Sequence, residues 1–363
     1  MVDKVEMNSF TSSSDMRFDQ VKTFMRWAWS HLPMLLVTVL FSLVVGEVYM
    51  QVAFLPSLFY QFDAELGYTY IPQQQSITWQ GNYSIPSPPI GINSDGNRGS
   101  DTDWSKKVIL ALGSSEVMGP GVEDNQTWAV NLEKKLRAEA DDEAIEVVNA
   151  GIAGYGPFHH MVTFQRILDG QKVAIDTAIL RVSVGDRNFR RPEQVLPKSS
   201  LHKYLRDHTV FIRHLNTRLK AQIRLLKRSF TPFPFRKKID TAHTRTLQMA
   251  EKMWSENKSY WIEFMEDAKQ KQTKIIFLVI NPTDSGGETY LAARLSELCK
   301  ILNYGTVLEL GSERFDLENL SEREKKRVFE SDFTLGYDPH ANPKQHQIIA
   351  ESLEEFLLED QER

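Results

Sequence analysis

Five short apolar runs, each followed by a stretch of helical periodicity, constrain the fold of this chain more than any other feature. VILAL (108–112), IEVVN (145–149), TAILRVSV (177–184), KIIFLVI (274–280) and TVLEL (306–310) are rich in β-branched residues. Strands that are apolar on both faces belong to parallel sheets, because the crossover helices cover both sides. Helices are expected over 126–140, 158–170, about 244–271, 287–303 and 343–358. The pattern predicts a three-layer α/β domain with a mostly parallel sheet over residues 106–358. The chain has 363 residues, 41% hydrophobic and 25% charged. That composition excludes collagen, mucin and wholly disordered chains. The length suits one large domain with additions, or two domains.

A second feature lies upstream. Residues 27–46, WAWSHLPMLLVTVLFSLVVG, contain no Asp, Glu, Lys or Arg. Twenty such residues at ~1.5 Å rise match a bilayer core of ~30 Å. Trp27, Trp29 and Tyr49 suit the two aromatic belts, so a transmembrane helix is expected over 27–50. A buried core helix is the alternative, and such helices rarely run this far without a charge. Lys4, Arg17, Lys22 and Arg26 precede the run, whereas residues 51–70 contain no Lys or Arg. The positive-inside rule then puts a tail of residues 1–26 in the cytoplasm and the C-terminal part outside. No A-x-A-like site follows the apolar run, so a single-pass, uncleaved anchor is expected.

Residues 51–105 are rich in Pro, Gly, Ser, Gln and Tyr and read as a connecting segment with short strands at most. Between Arg187 and Arg245 there are 16 Lys and Arg against Glu193, Asp207 and Asp240, a net charge of +13 in a chain whose total is −5. A basic helical insertion is expected at about 190–243. It is either a solvated pair of helices over the core or a surface for anionic lipid, acidic polysaccharide or a partner membrane protein. The acidic total argues against nucleic acid as a partner. The one cysteine, Cys299, excludes an internal disulfide or a multi-cysteine metal site and is expected at a buried helix position. His202, His208 and His214 recur every six residues and do not share a helical face. No metal or other cofactor is expected. His159 and His160 are expected at a surface helix start, with a place lining the cleft as the alternative, and His346 is expected to be exposed.

The chemistry is expected where the strands end, at the carboxyl edge of the sheet. LGSSEVMGPG follows the first strand, and a serine there, at the start of a helix, has backbone donors beside it. NAGIAGYGP follows the second, with three glycines that permit close backbone approach. SVGDRNF follows the third, with Asp186, Arg187 and Asn188 at its tip. Asp338 and His340 lie two apart in GYDPHANP, just before the last helix, in the pattern of a base and its orienter.

Together these blocks resemble the SGNH/GDSL hydrolase superfamily over roughly residues 60–358, including the lead-in INSDGNRG (92–99). The resemblance implies a flavodoxin-like α/β/α fold and a shallow serine hydrolase site. By it, Ser115 is the nucleophile, His340 and Asp338 complete the triad, and Gly154 is the oxyanion glycine beside the Ser115 N–H. Two positions depart from the family pattern. Gly113-Ser114-Ser115 replaces Gly-Asp-Ser. Asp186 stands where the family has an asparagine that donates to the oxyanion, and an ionised carboxylate only accepts. Asn188 or Arg187 supplies the donor, Asp186 is protonated, or the site is impaired.

The expectation is therefore a membrane-anchored, extracytoplasmic serine esterase or O-acyltransferase of a bacterial cell surface. Its substrate would be an acylated glycan or lipid-linked saccharide. The competing reading is a catalytically impaired scaffold subunit of a membrane assembly. A carbohydrate-binding module is a third, for which Trp79, Trp104 and Trp128 are available but not clustered.

Overall fold

The computed structural model describes residues 27, 29–46, 48, 60–79, 86–140, 144–171, 174–186, 239–335 and 340–361. Helix α1, Trp29–Gly46, is long and apolar enough to cross a membrane, and its apolar side chains, Phe41 and Met34 among them, are exposed. The chain separates into two compact units, one holding residues 1–56 with 200–216 and the other the remainder. Of the basic insertion, residues up to 238 lie outside the described residues, and 239–243 are helical.

In the larger unit the five expected strands form one sheet. They are β5 (Lys107–Leu112), β6 (Ile145–Asn149), β7 (Ile175–Val182), β8 (Lys274–Ile280) and β9 (Thr306–Leu310), in the order β6-β5-β7-β8-β9 and all parallel. Numbered within the sheet this is 2-1-3-4-5, the flavodoxin-like order, whose switch point lies between the first and third strands. Alternate residues of each strand enter opposite cores, as strand geometry requires. Leu110, Leu180 and Phe277 pack on one side with α4 (Pro157–Gln171), α5 (Ile239–Gln270) and α6 (Gly286–Leu302). Ile109, Ile179 and Leu278 pack on the other with α3 (Trp128–Ala140) and α8 (Pro343–Gln361). A short α2 (Ser115–Met118) follows β5, and α7 (Glu322–Asp332) lies before α8. Cys299 is buried in α6, as expected.

The segment read as a connector is built more firmly than its composition suggests. It carries two antiparallel hairpins, β1 (Tyr60–Asp63) with β2 (Gly67–Tyr70) and β3 (Gln74–Trp79) with β4 (Pro86–Ile92). Asp63 ties the first hairpin to α4 through Arg166, at 2.7 Å. His159, His160 and His346 are buried, contrary to the surface positions expected of them. His346 is 0% exposed because α8 packs on α3 at its N-terminal end, where its Nδ1 accepts the Trp128 N–H at 3.2 Å. Burial first, and then Arg98 nearby, holds its imidazole down at about pKa 3.

Candidate active site

The β5–α2 turn presents Ser115 at the carboxyl edge of the sheet, beside the switch point. Ser115 opens α2, so its N–H has no acceptor within that helix. The turn is held from several sides. Asn149, buried at the end of β6, donates from Nδ2 to Val117 O at 2.9 Å and accepts the Gly151 N–H at 3.1 Å. Gly151 lies so close that a Cβ there would sit 2.3 Å from Met118 N, which no side chain permits. Arg98, 4% exposed, donates to the carbonyls of Met118, Gly119 and Val122 and pairs with Asp124 at 2.7 Å. One buried guanidinium thereby satisfies three carbonyls of the loop that follows α2.

His340 reaches this turn from 225 residues away. It lies within the segment closed by an antiparallel bridge between Thr334 and Ala341, with Leu335 N–H donating to His340 O at 3.0 Å. Asn342 then caps α8, its Oδ1 accepting the Gln345 N–H at 3.1 Å, and Pro343 occupies the first helical position. The result is a 2.9 Å contact between His340 Nε2 and Ser115 Oγ, within reach for proton transfer. Asp338, expected to orient His340, lies outside the described residues, as do Arg187 and Asn188.

Gly154 lies in the β6–α4 loop with φ +84°, a conformation that side chains disfavour. Asp186 follows β7, is 6% exposed, and accepts the Ser183 N–H through Oδ2 at 2.8 Å. Burial pushes its carboxyl up to about 8, with Glu116 adding to the rise and Arg181 opposing it. Arg181, almost fully buried on β7, pairs with Glu116 at 2.8 Å. On α6, Glu288 accepts from Ser183 Oγ and Val184 N–H, both at 3.3 Å. It is raised to about 7, chiefly by burial. Around this cluster lies a polar pocket of about 190 Å³, lined among others by Glu116, Arg181, Glu288 and Ala341, hence by the neighbours of both Ser115 and His340.

Arg98 stands in the lead-in INSDGNRG, and Glu288 and Arg181 fall outside the motifs at the strand tips. Arg181 did carry a signal, since a lone charge in the apolar run TAILRVSV requires a buried partner. Among the described residues no group of three or more His, Cys, Asp or Glu is placed to hold a metal ion.

No family model matches the chain, and no curated protein matches it. Among solved structures it is similar to the psychrotrophic esterase EstA from Pseudoalteromonas sp., at 12% identity over 71% of this chain and 100% of that one, TM-score 0.41. A catalytic mutant of Axe2, an acetylxylan esterase from Geobacillus stearothermophilus, is similar at 12% over 68% and 92%, TM-score 0.39. A putative lipolytic protein of the G-D-S-L family from Desulfitobacterium hafniense is similar at 14% over 69% and 99%, TM-score 0.37. At these values the chemistry of the site rests on the distances within this chain.

Proposed function

We propose that the chain is a membrane-anchored serine esterase or O-acyltransferase of the SGNH type, and the observation that carries this is the 2.9 Å contact of His340 Nε2 with Ser115 Oγ. His340 takes the hydroxyl proton as Ser115 Oγ bonds to an ester carbonyl carbon. The alcohol leaves with that proton, and an acyl group stays on Ser115. Water releases it as an acid; a sugar hydroxyl accepts it as a new ester. Asp338 is assigned the orienting role beside His340. The Ser115 and Gly154 N–H groups hold the oxyanion, joined by Asp186. Held near 8, Asp186 is protonated at neutral pH and has an O–H to donate, as an asparagine would its N–H. That weighs against the impaired-scaffold reading. The apolar α1 and the basic residues before the apolar run support an anchored domain outside the cytoplasm, facing acylated surface glycans or lipid-linked saccharides.

The test is aryl-acetate hydrolysis and fluorophosphonate labelling by the solubilised full chain. Wild type turns over and labels; Ser115→Ala does neither. Labelling that persists in the alanine variant overturns the assignment.

A further inference from the structure

We infer that Tyr68, on the hairpin that precedes the α/β domain, is a positioning residue that aims the Gly154 N–H at the oxyanion; this rests on the esterase reading above. The Tyr68 hydroxyl donates to Ala153 O at 2.7 Å. In a trans peptide the C=O and the following N–H point in opposite directions. Fixing the Ala153 carbonyl toward Tyr68 therefore turns the Gly154 N–H away from the hairpin.

The peptide two residues earlier shows which side that is. Gly151 O accepts from the Tyr70 hydroxyl of the same hairpin at 3.2 Å. On the opposite side of that peptide, the Ile152 N–H donates to Gly113 O at 3.1 Å, in the turn that carries Ser115. Both carbonyls face the hairpin, so both N–H groups face the nucleophile turn. One is spent on Gly113. Among the described residues the Gly154 N–H has no acceptor.

Tyr68 is itself held in place. Its backbone carbonyl accepts from the Tyr155 hydroxyl at 2.5 Å, and the two rings lie 5.4 Å apart. The positive φ of Gly154 is part of the same fit, since a Cβ there would stand 2.8 Å from the Tyr68 hydroxyl oxygen. The loop, the glycine and the tyrosine form one hydrogen-bonded unit that fixes the direction of the Gly154 N–H. Directions of oxyanion donors act on the transition state rather than on the bound substrate.

The experiment compares Tyr68→Phe, Tyr70→Phe and Ser115→Ala with wild type in the solubilised full chain. Three quantities are read: kcat and KM on an aryl acetate, inhibition by phenylboronic acid, whose serine adduct places an oxygen in the oxyanion position, and the thermal midpoint. Tyr68→Phe keeps the donor but frees its direction, so kcat is expected to fall about 5- to 50-fold, less than the ~10²–10³ for losing a donor outright. KM stays within about twofold, and boronate inhibition weakens in step with kcat/KM. Tyr70→Phe loses a comparable hydrogen bond at a peptide already fixed on its other side, and keeps kcat within about threefold. A Tyr68→Phe enzyme with wild-type kcat and boronate inhibition, or with losses matched by Tyr70→Phe, overturns the inference. A Tyr68→Phe chain that fails to fold is replaced by Tyr155→Phe, which loosens Tyr68 from behind and is expected to shift kcat and boronate inhibition in the same ratio. Activity that survives in Ser115→Ala overturns the esterase reading instead.

Discussion

Asp186→Asn isolates the role of a protonated carboxyl in this site. Four charged or titratable groups meet there from three elements: Glu116 on α2, Arg181 and Asp186 on and after β7, and Glu288 on α6. Asp186 is raised to about 8, so its neutral form dominates below that pH and is lost above it. At pH 7 about nine-tenths of the molecules carry the donor, at pH 8 about half, and at pH 9 roughly one in eleven. Loss of one oxyanion donor costs ~10²–10³ in rate, so the ionised form contributes little. The kcat/KM of wild type is then expected to fall about tenfold per pH unit above 8.

Asparagine keeps the geometry, its Oδ1 accepting the Ser183 N–H as Asp186 Oδ2 does at 2.8 Å, while its Nδ2 donates at every pH. Asp186→Asn is therefore expected within about twofold of wild type at pH 7 and roughly tenfold faster at pH 9. The assay is aryl-acetate hydrolysis from pH 6 to 9.5, with Ser115→Ala subtracted at each point as the uncatalysed background. The same alkaline limb in both enzymes refutes the reasoning, and so does a variant about 10² slower at pH 7.

The remaining predictions concern the supports of the site. Arg98→Ala leaves three carbonyls and Asp124 without their buried partner, and is expected to cost about 3–5 kcal/mol in urea unfolding. Gly151→Ala drives a Cβ into Met118 N and is expected to displace α2, lowering kcat at least tenfold with about 1–3 kcal/mol of stability lost. His160 and His346 are both buried and held at about 3, below the ordinary histidine value. The unfolded chain binds their protons first, so the stability of their neutral forms is complete above about pH 6.5 and is lost as pH falls toward 3. Each contributes a slope of up to about 1.4 kcal/mol per pH unit, and His160→Gln is expected to flatten the curve by one histidine's share.

The sheet was legible because parallel strands covered on both faces leave an uninterrupted apolar record. β5 to β9 appear within two residues of where VILAL, IEVVN, TAILRVSV, KIIFLVI and TVLEL place them. The strand tips were legible for a related reason, since chemistry at a parallel sheet collects at one edge. Helix α7 left no such record. EREKKRVFESD is polar nearly all round, and only the capping box of Ser321 and Glu324 announces it. His346 was misplaced because local periodicity holds no information about a backbone N–H 218 residues away in need of an acceptor.

The hairpin region is the more instructive case. Residues 60–99 have a linker's composition because they carry few periodic apolar positions, yet their polar groups hold both halves of the site. Tyr68 fixes the loop of Gly154, and Arg98 fixes the loop behind Ser115. Proline, glycine and tyrosine serve this work because it needs tight turns and long hydroxyl reach rather than apolar area. A fragment starting at 106 therefore lacks parts of the catalytic unit, whereas one starting at Ser57, where the compact unit begins, contains them. The shorter fragment is expected to lose cooperative unfolding and fluorophosphonate labelling together, and the longer one to retain both. If residues 106–363 labelled at the full-length rate, the hairpins would be a spacer after all, and the orientation of the oxyanion loop would have to arise within the α/β domain alone.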